Sequence, residues 1–298
     1  MIKIIASDMD GTLLNDQMQV SPANAAAIRR AQAGGIEFMV ATGRALAEAQ
    51  PLMAAHDLHP AFITLNGARV FDAEGSLKVD VPLTPASVSR ITTLLDADHL
   101  YYELVTATGV VSNSKVSRIQ NIADLLVNLN PDTTYKIAVA LAAARLELMN
   151  ITYVPDYAPL LADPNVEIMK IIAFSSAGQQ VLAGPKAALE AQGDLIVTAS
   201  AETNIEINDR RAQKGLALAA YAAQQGVTMA ECMAIGDNLN DASMIQRAGF
   251  GVAMGNAVPA IKQLAWATTG TNTEDGVAQA IDRALEINRQ EADDGLLH

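Results

Sequence analysis

The residues equipped for chemistry stand in four short segments. Asp8 and Asp10, two positions apart, close the apolar run Ile2–Ala6 and are followed at once by Gly11 and Thr12. Thr42-Gly43-Arg44 closes a second apolar run, Ile36–Ala41. Lys214 stands at a helix start, and Gly236-Asp237-Asn238-Leu239-Asn240-Asp241 follows the apolar run Cys232–Ile235. Strand tips in parallel sheets are where ligands bind, so acids placed there point to a site. A carboxylate with an ordinary pKa of ~3.9 is ionised without a helper base and suits nucleophilic attack. A second carboxyl one loop-turn away can give and take protons. Gly11 has the flexibility for a sharp exit from the strand.

Elements that could hold these segments in place are legible on both flanks. Lys3–Ala6 reads as a strand, and Ser21-Pro22 as an N-cap with proline at N1 of a helix ending at Gly34-Gly35. Ile36–Ala41 and Ala61–Leu65 read as further strands, the latter running into Asn66-Gly67. Near the other end, a helix through Leu216–Gln225 stops at Gly226, and strands Cys232–Ile235 and Gly251–Met254 follow. Short apolar strands separated by helices predict a parallel sheet covered on both faces. The middle differs: strand candidates Tyr101–Val105, Tyr135–Ala140 and Lys170–Phe174 alternate with longer helical stretches and carry little polar punctuation. It reads as a separate α+β unit inserted into an α/β core. The expected division is a core of 1–82 and 194–298 with an insert of 83–193, hinged at Pro82-Leu83-Thr84-Pro85. The tail Glu291–His298 is expected to fray.

Composition bounds the function. The 298 residues carry a formal net charge of −13, which argues against nucleic acid and against an anionic membrane surface. An anionic substrate would need local cations or a metal. The apolar stretch Ile137–Ala144 is far short of the ~20 residues that span a bilayer. A single cysteine, Cys232, excludes an internal disulfide and suits a reducing compartment; lying in an apolar strand, it reads as inert core. With no basic segment leading into an apolar signal core, a soluble cytoplasmic protein is expected.

The four segments resemble those of the haloacid dehalogenase superfamily of phosphohydrolases, in the order that family uses. Asn66-Gly67-Ala68, Val252-Ala253-Met254-Gly255-Asn256-Ala257 and Asn272-x-Glu274-Asp275-Gly276-Val277 resemble its Cof-like, sugar-phosphatase branch, subfamily IIB. The resemblance covers roughly 1–82 and 194–290 by motif, and the middle only in length and position. It implies a Rossmann-like core with a parallel sheet and a large inserted α+β cap of the second (C2) type, closing over the site. It further implies that Asp8 attacks phosphorus to give an aspartyl-phosphate, while Asp10 protonates the leaving alcohol and then deprotonates water. Asp8, Asp237 and Asp241 bring three acids towards a phosphate dianion, and Mg2+ is the natural compensator. By resemblance its ligands are the Asp8 carboxylate, the Asp10 main-chain carbonyl and Asp237, with Asp241 supporting them. Lys214, the Thr42 hydroxyl and the Gly43 amide would hold the phosphoryl oxygens. Asn66 and Asn240 would reach the substrate side. The expected partner is a small-molecule phosphate ester, and the expected assembly a monomer or homodimer.

Blander readings stand beside these. Thr42 also suits N-cap duty, Arg44 reads as structural or rim electrostatics, and Lys115, Arg118 and Lys136 read as solvated surface. Rival functions are a phosphomutase of the same superfamily and a phosphorylation-dependent regulatory protein. Receiver domains, which also group Asp, Thr and Lys around magnesium, are one small domain long and lack a Gly236–Asp241 segment. Metal-free dehalogenases would have no need of Asp10, Asp237 and Asp241. The four histidines lie outside every motif, so neither a histidine-based triad nor a zinc site is supported.

Overall fold

The computed structural model describes residues 1–130, 132–146, 151–199 and 201–295. Strands β1 (Ile4–Asp8), β2 (Glu37–Ala41), β3 (Ala61–Thr64), β4 (Arg69–Phe71) and β5 (Leu77–Asp80) come first. Next in the chain are β6 (Tyr101–Thr106), β7 (Val110–Ser112), β8 (Ile151–Tyr153), β9 (Ile168–Phe174), β10 (Leu195–Thr198) and β11 (Asn204–Asp209). The last are β12 (Cys232–Gly236), β13 (Phe250–Ala253) and β14 (Ala267–Thr268). The chain divides into two compact units, Met1–Val81 with Arg211–His298, and Pro82–Arg210.

In the first unit the sheet order is β14-β13-β12-β1-β2-β3-β4-β5, parallel from β14 to β3 and antiparallel over the last two strands. β1 is central and every residue of it is buried, which is why it reads as an unbroken apolar run rather than an alternating one. Ile4 and Ile5, at most 1% exposed, each contribute about 1.5–3 kcal/mol by burial. Register then sets the site: Asp8 lies beside Ala41, Ser7 beside Ile235. Asp8, Thr42 and Asp237 therefore emerge at one edge of the sheet. The helix Pro22–Ala33 begins as expected, with Ser21 Oγ accepting from the Asn24 amide at 3.1 Å and proline at N1.

The second unit has the sheet order β10-β11-β9-β6-β7-β8, antiparallel except for β7 with β8. Its core gathers Ile91, Leu104, Ile171, Ile205 and Ile207. Two expectations are corrected here. The segment 194–210, assigned to the core from sequence, forms β10 and β11 and pairs with β9. Its apolar residues Leu195, Val197, Ile205 and Ile207 alternate, and they bury their face in the second unit. The second correction is Tyr135–Ala140, expected as a strand, which opens the helix Tyr135–Leu146. Ala138, Ala142 and Leu146 repeat every four residues and pack against Ile122 and Ala123 of the helix Lys115–Leu129. That spacing, with strong helix formers, outweighs the β-branched Ile137 and Val139. In the segment expected from sequence to be a hinge, Thr84 caps the helix Pro85–Ala97 by accepting from the Ser87 amide. The tail from Glu291, expected to fray, instead continues the helix Gly276–Gly295 as far as Gly295, and 296–298 lie outside the described residues. Among the described residues no helix is long and apolar enough to cross a membrane.

Candidate active site

Lys214 is the centre of the site. It is the first residue of the helix Lys214–Gln224 and is wholly buried, so its ammonium must be paired to be tolerated there. Its Nζ donates to Asp8 Oδ1 at 2.6 Å and to Asp241 Oδ1 at 2.7 Å. Burial works against the lysine charge, but Asp241 and then Asp8 outweigh it and hold its pKa above the usual value. The two acids are buried as well.

Asp241 organises the loop that carries Asp237. Its Oδ2 accepts from the Asp237 amide at 2.9 Å and the Asn238 amide at 3.0 Å. Gly236 leaves room for this carboxylate, because a Cβ there would fall 2.6 Å from Asp241 atoms. Asp237 is fixed from the other side, with Thr12 Oγ1 donating to its Oδ1 at 2.8 Å. Gly11 has φ +78, and a Cβ on it would lie 2.7 Å from Asp237 Oδ2. Only glycine meets both demands. Ligand oxygens of Asp8, Asp237 and Asp241 all lie within 4.8 Å of one another.

This crowding changes the expectation for Asp8. An ordinary, freely ionised carboxylate was expected from sequence. In the structure burial, and next the Asp241 charge, push its pKa well above the model-peptide value; Lys214 pulls it down and Asp237 raises it again. Burial likewise raises Asp237. The nucleophile candidate thus depends on nearby positive charge to stay ionised.

Asp10 does not join that cluster with its side chain. Its carboxylate is half-exposed and turned to Arg44, whose Nε donates to Oδ2 at 2.8 Å and Nη2 to Oδ1 at 2.5 Å. Thr42 is buried, and its Oγ1 accepts from the Arg44 amide at 3.1 Å in a local turn; the helix that follows, Leu46–Ala54, has Ala45 at its N-cap, so the N-cap duty read for Thr42 from sequence is not met. Asn66 holds a left-handed backbone at φ +62, and Asn240 Nδ2 approaches its Oδ1 at 3.5 Å. Gly43 stands beside it, where a Cβ would lie 2.9 Å from Asn66 Oδ1. All nine residues singled out from sequence therefore lie in the first unit, at the loops that leave its sheet.

Sequence reasoning gave no role to Thr12 or to the two asparagines of the later motifs. Asn256 Nδ2 donates to Gly11 O at 2.7 Å and its Oδ1 accepts from the Asn272 amide at 3.0 Å. Asn272 Nδ2 in turn donates to Leu14 O at 3.0 Å. The loop after β1 is thus braced by residues 245 and 258 positions away in the chain. The available signal was that both asparagines belong to quoted motifs. Arg118, read as solvated surface, is instead mostly covered: it pairs with Glu103 at 3.2 Å and lies over the Phe174 ring at 5.1 Å. Lys115 and Lys136 are exposed as expected.

At the strand ends of a largely parallel α/β sheet three acids gather around a buried lysine, a donor set suited to phosphoryl transfer. A profile of the haloacid dehalogenase-like hydrolases matches residues 5–281, and the chain belongs to that family. It is 35% identical over 286 residues to phosphatase YwpJ of Bacillus subtilis (strain 168), covering 95% of this chain and 100% of that one. It is also 35% identical to the 5-amino-6-(5-phospho-D-ribitylamino)uracil phosphatase YcsE of the same organism, covering 94% of each chain. A solved haloacid dehalogenase-like hydrolase from B. subtilis superposes with a TM-score of 0.82 at 33% identity, over 94% of this chain and 99% of that chain. The protein is a phosphatase of the Cof-like branch, as its motifs led one to expect.

Proposed function

We propose that this phosphatase is a magnesium-dependent phosphomonoesterase acting on sugar or sugar-alcohol phosphates through an aspartyl-phosphate at Asp8. One observation carries the reading: three acids within 4.8 Å face a single buried ammonium, Lys214, among the described residues. The uncompensated negative charge is costly in a desolvated site. A hard divalent cation that takes carboxylate oxygens relieves it, so the donor set fits magnesium. Asp8, Asp237 and the Asp10 carbonyl are the proposed ligands. Asp241 supports them instead, since its oxygens are engaged by Lys214 and two amides. Bound magnesium would supply charge neutralisation at the phosphoryl oxygens.

The remaining steps belong to the side chains. An Asp8 oxygen attacks phosphorus, and the bond to the ester oxygen breaks. Lys214, the Thr42 hydroxyl and the Gly43 amide hold the equatorial oxygens. Asp10 gives its proton to the departing alkoxide, then takes one from the water that cleaves the aspartyl-phosphate. Asn66 and Asn240 are assigned to the substrate side. A small polyol ester is supported by the name of YcsE, whose substrate carries a phosphoribityl group. A phosphate-ester screen with magnesium, scored by kcat/KM, tests both substrate and metal. Turnover should be lost with a chelator and restored by magnesium; full activity in metal-free protein would sink the scheme.

A further inference from the structure

We infer that Arg44 is a positioning residue for proton transfer: its guanidinium fixes the direction in which the Asp10 carboxylate points. The inference deepens the proposed mechanism and rests on its assignment of Asp10. Two bonds from one planar group, at 2.8 and 2.5 Å, take both oxygens of the carboxylate. Such a fork sets orientation as well as distance, which a point charge does not. Arg44 is itself anchored. Its amide donates to Thr42 Oγ1 at 3.1 Å, and its carbonyl accepts from the Leu65 amide at 3.0 Å. Its backbone is thereby tied to the ends of β2 and β3, so the guanidinium stands on a rigid edge.

Stability does not account for the pair. The side chains are 27% and 45% exposed, and ion pairs that open to water add little to folding. Nor does a charge-only role at the rim call for a bidentate fit. Asp10 sits on a loop, where a small displacement of a proton donor costs reactivity steeply. Thr42-Gly43-Arg44 then has two tasks in one turn: the first two residues face the phosphoryl group, and the third aims the acid of the neighbouring loop.

The test measures kcat and KM, at saturating magnesium, on p-nitrophenyl phosphate and on the best alkyl phosphate from the ester screen. The proteins are parent, Arg44→Ala, Arg44→Lys, Asp10→Asn and the double variant Asp10→Asn/Arg44→Ala. Arg44→Ala should lower kcat on the alkyl ester by ~10–10²-fold with KM nearly unchanged, a part of what proton transfer contributes. The release of p-nitrophenolate, which leaves without a proton, should fall much less. Arg44→Lys keeps the charge and loses the fork, so it should stay within about threefold of the alanine variant. In the Asp10→Asn background, Arg44→Ala should cost less than about twofold, because its partner is already gone. Equal melting curves, or Arg44→Gln where alanine perturbs folding, keep the comparison clean. Independent, multiplicative losses, or full recovery in Arg44→Lys, would overturn the role of Arg44 while Asp10 stands. Parental turnover in Asp10→Asn would overturn the assignment of Asp10 and this inference with it.

Discussion

The two units place their buried charge differently. In the first, charged groups collect where strands end and helices begin: Asp8 closes β1, Asp237 follows β12, and Lys214 opens a helix. In the second, charge lies in the middle of the sheet. Lys170 on β9 donates to Glu206 on β11 at 2.8 Å, and Glu103 on β6 accepts from the Tyr101 hydroxyl at 2.6 Å and faces Arg118. The mid-sheet groups are matched acid to base. The strand-end group is not, since three acids share one lysine. A matched pair offsets its own burial, whereas a cluster with an excess of acids carries the electrostatic demand that the proposed cation and phosphoryl group would meet.

The sharpest way to break this contrast is at Asp8. Asp8→Asn should fall below ~10⁻³ of parental turnover while its far-ultraviolet circular dichroism stays native, as loss of a nucleophile does elsewhere. Substantial residual turnover would mean direct attack by water. Beryllium fluoride, an acyl-phosphate mimic, should inhibit the parent and be found on Asp8.

Next comes excision of the matched unit. Replacing Pro82–Arg210, the proposed cap, with a short linker should leave a core that binds magnesium, because the acidic cluster and Lys214 lie in the other unit. Discrimination among esters should drop further than metal affinity, as measured by magnesium titration and the ester panel. A core that does not fold would place the second unit inside the first one's stability.

A buried pair sets the third scale. Lys170→Met removes the ammonium that Glu206 meets at 2.8 Å, at a site where the side chains are 6% and 9% exposed, and should cost about 3–5 kcal/mol in urea unfolding. The magnesium requirement should not change. A shifted metal titration would link that pair to the acidic cluster and blur the distinction between the units. The smallest effect concerns Cys232, buried with its pKa pushed up to about 11. Native protein should resist iodoacetamide at pH 8 and react only on denaturation; rapid native labelling would show that the first unit's core opens.

Legibility follows the same division. In the first unit the strands expected from sequence match β1, β2, β3, β12 and β13, because a parallel strand covered on both faces writes itself as an apolar run with an abrupt polar end, whereas the edge strands β4, β5 and β14, short and less apolar, were not read. Lys3–Ala6 was extended only to Ile4–Asp8, and the nine site residues follow such ends or helix starts. The second unit lacked that punctuation. Tyr135–Ala140, expected as a strand, is helical, and 194–210, expected in the core, pairs with β9. Both misreadings ignored a period: four residues for the helix, two for β10 and β11.

The sequence by itself determined which residue types stand at which strand tips, hence the family, the phosphatase class and the candidates Asp8, Asp10, Thr42, Lys214 and Asp237. Those follow from local pattern and order along the chain. Tertiary structure decided everything that depends on distance between remote segments. It brought Lys214 between Asp8 and Asp241, 206 and 27 residues away. It turned Asp10 towards Arg44 and tied Gly11 to Asn256. It also raised the pKa of Asp8 through burial, a property of the surroundings that no carboxylate carries in its own sequence.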